Sequence, residues 1–176
     1  ADKNVKDGHD MVSWCDTKVQ LSTEELTTAS LTLKEDAAVR MDRSANILYN
    51  VPAGMTKAQL FEMFEFGEGE TLSMEDPYNA SFDEDGAPVA TGYLVKLRKD
   101  GTVADTVTMA VNGDVDGSAN GTLDISDINT LREVLTGKAT FDAVNTYAAD
   151  VNGDGKVDLA DLAAPKVLAG VGADID

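Results

Sequence analysis

Asp150–Asp161 reads DVNGDGKVDLAD, and the spacing within it organises the reading of the whole chain. Oxygen-bearing side chains fall at loop positions one, three, five, nine and twelve: Asp150, Asn152, Asp154, Asp158 and Asp161. Gly155 sits at position six and Val157 at position eight. This is the ligand spacing of a 12-residue EF-hand-type calcium loop. Ca²⁺ takes about six to eight oxygens at roughly 2.3–2.6 Å. The loop must wrap such an ion, and a glycine in the middle permits the sharp turn. Lys156, at position seven, contributes only its backbone carbonyl, so its charged side chain can point away. The loop departs from an EF-hand at its end, where the shorter Asp161 replaces a bidentate Glu.

A second copy lies upstream. Asp116–Asp127, DGSANGTLDISD, offers Asp116, Ser118, Asn120, the Thr122 carbonyl, Asp124 and Asp127, with Gly121 at position six and Leu123 at position eight. Asp116 and Asp127 each lie 34 residues before their counterparts, Asp150 and Asp161. Each loop leads into an apolar run suited to a helix, INTLREVLTG and LAAPKVLAG, with Gly137 and Gly170 as stops. One Asp-rich loop means little in so acidic a chain; two in register, each followed by a helix, point to a duplicated unit holding two calcium ions. GDVDG at Gly113–Gly117 also reads as an opening, with Asp114 first, Asp116 third and two residues inserted. The 12-residue reading keeps Gly121 and Leu123 in place and is preferred, with Asp114 a reserve ligand.

The 176 residues suffice for one large domain or two small ones. The net charge of −18, from 32 acidic and 14 basic residues, opposes binding to nucleic acid or anionic membrane, which needs concentrated Lys and Arg. Cys15 is the single cysteine, so no internal disulfide forms, and the bland reading is a small buried apolar side chain. A disulfide-free chain suggests the cytosol. Loops ending in Asp without a long entering helix instead suit the millimolar calcium outside cells, and a secreted location is expected. No stretch is long enough to span a membrane and no signal peptide is visible. The opening Ala1-Asp2-Lys3 reads as the start of an excised piece.

Along the chain, residues 1–11 look like a linker or frayed terminus, and His9 lacks nearby partners for a metal or catalytic role. Residues 12–41 carry period-two, strand-like segments around Val19 and Leu21 and around Leu31 and Leu33; Trp14 is expected as a core anchor. Thr56 with Gln59 forms a capping box for a short helix bearing Leu60, Phe61, Met63 and Phe64 and stopped by Gly67. Residues 70–111 return to strands, with Asp100-Gly101 the strongest hairpin signal. The fold class expected is α+β: a small β-rich domain with one helix over residues 1–111, rigidly joined without a spacer to an all-α unit of two calcium loop–helix repeats over 112–176.

GDVDG…NGTLDISDINTLREVLTG followed by AADVNGDGKVDLADLAAPKVLAG resembles a dockerin module over about Asn112 to Gly172. The resemblance implies two F-hand repeats, each a loop and exiting helix, and high-affinity binding to a cohesin module of a scaffoldin or cell-surface anchoring protein in the cellulosomes of anaerobic bacteria. Roughly residues 40–111 look like the X module that often precedes such dockerins and can extend the cohesin interface. By family analogy the contacts come from loop positions ten and eleven and the helix beyond: Ile125, Ser126, Asn129, Arg132, Glu133 and Thr136 in the first repeat; Leu159, Ala160, Lys166, Val167 and Val171 in the second. One face is polar and the other small and apolar, which predicts a single docking orientation. Pro165 falls inside the expected second helix, where it predicts a kink or a short first turn.

The favoured function is a non-catalytic, calcium-dependent adaptor, monomeric alone, that anchors a scaffoldin or an extracellular carbohydrate-active enzyme for polysaccharide degradation. A calcium sensor with an opening Met-rich groove lacks paired entering helices; a calcium-stabilised structural module is the other non-catalytic alternative. A hydrolase built on Glu62, Glu65 or Asp83 has nothing else organising a site around those carboxylates.

Overall fold

The computed structural model describes residues 29–78 and 80–164. Its elements run β1 (Thr32–Leu33), β2 (Arg40–Asp42), β3 (Ile47–Val51), α1 (Lys57–Phe61), β4 (Phe64–Glu65), β5 (Glu70–Glu75), β6 (Leu94–Lys99), β7 (Thr102–Val111), α2 (Ile125–Leu135), α3 (Ala143–Ala149) and α4 (Leu159–Leu162). A β-rich region therefore precedes the helical one. His9, Trp14, Cys15 and the segment around Val19 and Leu21 lie outside the described residues, as do Lys166, Val167, Gly170 and Val171.

Five strands form one sheet in the order β2-β3-β7-β6-β5, antiparallel throughout except for the parallel β3–β7 pair. Alternation sorts its residues between two cores. Leu48, Val95, Leu97, Val107 and Met109 face one side, where Leu60 of α1 and Phe64 of β4 cover them. Ile47, Tyr49 and Ala110 face the other side, towards the helices. Each fully buried Val, Leu, Ile, Phe or Met among them stabilises the fold by roughly 1.5–3 kcal/mol. The β6–β7 hairpin turns at Asp100 and Gly101, both with positive φ (50° and 82°), as the Asp-Gly pair predicts.

Helix α1 carries the expected capping box: the Thr56 side chain accepts from the Gln59 N–H, and the Gln59 side chain accepts from the Thr56 N–H. The helix ends sooner than expected, with Glu62 as its C-cap and Phe64 already in β4. The cause is competition for the backbone: the Met63 carbonyl accepts from Lys34 N–H, and β4 pairs Phe64 with Leu33. Phe64 is buried by strand pairing, not by a helical stripe.

At the end of β7 the chain passes into the loop–helix region through buried Asn112 and Gly113, whose N–H groups donate to Val51 and Ala148 carbonyls. Ile47 and Ala110 of the sheet pack with Val115, Leu131, Ala148 and Ala149 in one core. Beside it, the Tyr49 and Tyr147 rings lie 5.1 Å apart, and the Tyr147 hydroxyl donates to Asp42 at 2.5 Å. Helix α3, capped by Asp142, enters the second loop and was not expected; the first loop is entered from a strand. The described part of α4 stops at Leu162, three residues before Pro165, whose ring disfavours helical backbone at Ala164.

Candidate metal centres and docking face

In the second loop every carboxylate is aimed by backbone amides. Asp150 accepts from Gly153, Asp154 and Gly155 N–H at 2.8–3.0 Å. Asn152 Oδ1 accepts from Asp154 N–H, and Asp154 from Lys156 N–H. Asp158 caps α4, accepting from Ala160 N–H, and the fully buried Asp161 accepts from Asn152 and Asp158 N–H. Closing aspartate and helix cap are thus one capping box, which sets where the loop ends.

The first loop repeats this network with one shift. Asp124 caps α2 and accepts from Ser126 N–H, and buried Asp127 accepts from Val115, Asp116 and Asp124 N–H. Asn120 Oδ1 accepts from Thr122 N–H, as Asp154 does from Lys156. The Gly121 N–H, counterpart of Gly155, donates to Asp114. Asp116 N–H donates to Asp127, as Asn152 N–H does to Asp161. Asp114 therefore stands where Asp150 stands and Asp116 where Asn152 stands, and two additional residues lie between Asp116 and Asn120. The 12-residue reading puts Asp116 and Ser118 in those places; the hydrogen bonds do not. Exposed Ser118 falls within the inserted stretch, where its N–H donates to Asp116 at 2.7 Å.

Asp114, Asp116 and Asp127 each bring a carboxylate oxygen within 4.8 Å of the others. Asp114 is 1% exposed, and its Oδ1 is buried without a hydrogen-bond partner. Its other oxygen accepts from Thr91 N–H at 2.8 Å and Gly121 N–H at 3.2 Å. Burial, reinforced by the charges of Asp127 and Asp116, pushes the Asp114 carboxyl up to about 6 despite those two hydrogen bonds. Burial also raises Asp127. For Asp116 burial acts upward as well, but hydrogen bonds from Ser118 and Ser126 outweigh it and leave the group lowered. Three converging carboxylates, two of them buried and one with an orphaned oxygen, are costly without a cation. An all-oxygen donor set suits a hard one.

The expected docking residues split by position. Ile125 (59% exposed) and Leu159 (72%) are large apolar side chains open to solvent, each immediately after the helix cap of its repeat. Ser126 and Ala160 are exposed beside them. Asn129, Arg132, Glu133 and Thr136 are exposed along α2 and, with Lys138, line one shallow groove. Glu62, Glu65 and Asp83 are exposed, at the C-cap of α1, in β4, and in a loop where Asp83 accepts from the Ser81 hydroxyl.

Sequence reasoning missed Thr91, Val89 and Gly54, which meet the first loop from outside it. Gly54 N–H donates to the Gly121 carbonyl at 2.8 Å, and Thr91 N–H to Asp114.

Residues 112–166 match the family model described as the dockerin type I domain. No curated protein and no solved structure matches the chain. No helix among the described residues is long and apolar enough to cross a membrane.

Proposed function

We propose that this chain, whose residues 112–166 are a dockerin module, is an adaptor that folds around two calcium ions and docks a cohesin of a cellulosome-type scaffold. Dockerins bind calcium and cohesins and are themselves non-catalytic. The finer reading extends this to the whole chain: no catalysis, a secreted location, anchoring of a scaffoldin or a polysaccharide-degrading enzyme, and an X-module-like domain up to Val111. The observation that carries it is the pair of matched loop–helix junctions, each with a buried closing aspartate and an exposed apolar residue directly after the cap, Ile125 and Leu159.

The proposed ligands are Asp114, Asp116, Asn120, the Thr122 carbonyl, Asp124 and Asp127 in the first loop, and Asp150, Asn152, Asp154, the Lys156 carbonyl, Asp158 and Asp161 in the second. Bound calcium offsets the mutual repulsion of these carboxylates and, by binding only the folded state, adds to its stability. Ile125, Ser126, Asn129, Arg132, Glu133 and Thr136 then form one docking face; Leu159 and Ala160, with Lys166, Val167 and Val171, form the other. The faces differ in polarity, which favours one docking orientation.

Calorimetric titration of the full chain with a panel of cohesins, in calcium and in EDTA, tests this. One-to-one binding that disappears in EDTA, and in the double variant Asp127→Ala/Asp161→Ala, is expected. Unchanged affinity in either case overturns the calcium-coupled reading; calcium binding with no cohesin bound leaves a calcium-stabilised structural module.

A further inference from the structure

We infer that the two calcium sites are inequivalent because the β-rich domain supplies part of the first: the segment Val89–Thr91, with Gly54, pre-forms that loop so that it fills at lower calcium than the second. This rests on the proposed function, since it takes both loops as calcium sites.

Several contacts cross from the β-rich domain to the first loop, where Ala119 packs against the sheet's core. Thr91 N–H donates to the Asp114 carboxylate, Gly54 N–H to the Gly121 carbonyl, and the Val89 carbonyl lies against Gly121. Thr91 is itself pinned: its hydroxyl accepts from Val111 N–H at 3.0 Å, at the strand end that feeds the loop. Val89 and Ala90, both fully buried, anchor the segment in the sheet's core. Asp114 is thereby held with one oxygen buried and unpartnered, in a carboxylate that comes within 4.8 Å of those of Asp116 and Asp127.

Among the described residues, no hydrogen bond from outside the second loop reaches the carboxylate of its opening ligand, although Arg40, Asp42, Tyr49 and Asn50 line a cavity beside it. Asp150 is half-buried and takes its three N–H donors from its own loop, and Asn152, Asp154 and Asp158 are exposed. The glycines at position six record the same contrast. A Cβ on Gly121 would lie 2.1 Å from the Val89 carbonyl oxygen, whereas one on Gly155 would meet nothing within 4 Å; both have positive φ, 67° and 84°. Two effects then act in one direction. A loop already ordered loses less conformational freedom on binding. A buried carboxylate oxygen without a partner gains more from a cation than a hydrated one does. Thr91 is thus a positioning residue: it touches no ion but orients a first-loop ligand, as outer-shell groups do at metal sites generally.

The test uses the two glycine amides. Gly121 N–H donates to Asp114 and Gly155 N–H to Asp150, so their NMR resonances report the two loops separately during a calcium titration of the full chain. The Gly121 resonance is expected to reach its midpoint first. Thr91→Ala, which removes the hydroxyl pinned to Val111, is expected to raise the Gly121 midpoint about tenfold and leave that of Gly155 in place. Thr91→Ser should restore it. Gly121→Ala and Gly155→Ala carry similar backbone strain, so a larger loss of calcium affinity in Gly121→Ala isolates the contact with Val89. Coincident midpoints, a Gly155-first order, or a Thr91→Ala effect equal at both loops overturns this inference alone. Titration that moves neither resonance overturns the calcium reading itself.

Discussion

Asp114 concentrates the conflict between folding and ligand binding in one side chain. Its carboxyl is raised from 3.8 to about 6, chiefly by burial. Between those two values the folded chain holds a proton that the unfolded chain has lost, so in calcium-free buffer this group favours folding least at high pH. Its destabilising effect is absent below 3.8, grows as pH rises and is complete above 6, reaching on the order of 3 kcal/mol. Asp127, raised by burial too, acts in the same direction. Asp114→Asn keeps the shape and removes the charge. In EDTA at pH 7 it should raise the thermal midpoint and flatten the pH dependence between about 4 and 6; in calcium it should lower the midpoint, because the proposed site loses a ligand. Thermal unfolding of both proteins with and without calcium reads this reversal. The same sign in both buffers would show that Asp114 is an ordinary buried acid. Calcium affinity of the wild-type chain should likewise fall below about pH 6, as protons compete for the same oxygen.

Elements whose signals were local could be read from the sequence. The Thr56–Gln59 box formed as spaced, and Asp100-Gly101 turned as that pair requires. Thr56→Ala should cost about 1 kcal/mol of stability, seen as a lower denaturant midpoint with unchanged slope. A loss near zero would mean that the Thr56 backbone pairing with Pro88 sets the start of α1 without the side chain. Where backbone partners come from far away, local signals misled. Nothing near Phe64 announces that Lys34 will take the Met63 carbonyl and end the helix. Helix α3, capped by Asp142, is only seven residues long, too short for a helical period to show in the sequence. The register of the first loop was ambiguous for the same reason: Gly121 and Leu123 keep their offsets to Asp127 in either reading. What selects Asp114 is the amide of Thr91, 23 residues upstream.

At the scale of the molecule, the expectation of a rigid joint rested only on the lack of a spacer before Asn112; the contacts between sheet and helices are non-local and had no signal in the sequence. Ile47 and Ala110 from the sheet, Leu131 from α2, and Ala148 and Ala149 from α3 share one core, and beside it the Tyr147 hydroxyl reaches Asp42. That hydrogen bond raises Tyr147, while Asp42, accepting from Ser44 and Tyr147, is held at about 2. Neither side of this core is complete alone: removing the helices would expose Ile47 and Ala110, and removing the sheet would leave α2 and α3 without their floor. Leu131→Ala should therefore destabilise the entire calcium-loaded chain by about 2–5 kcal/mol, not the helical part only. The two regions can be followed by hydrogen exchange, with amides of β6 reporting the sheet and amides of α2 the helices. In calcium, both sets should lose protection in parallel when Leu131 is truncated, and Ile47→Ala should produce the same paired loss from the other side. If Leu131→Ala speeds exchange in α2 while β6 keeps its wild-type protection, the halves open independently and the shared core does not couple them. Parallel loss would make the first loop, the proposed calcium site at this junction, a link through which calcium stabilises the sheet as well as the helices.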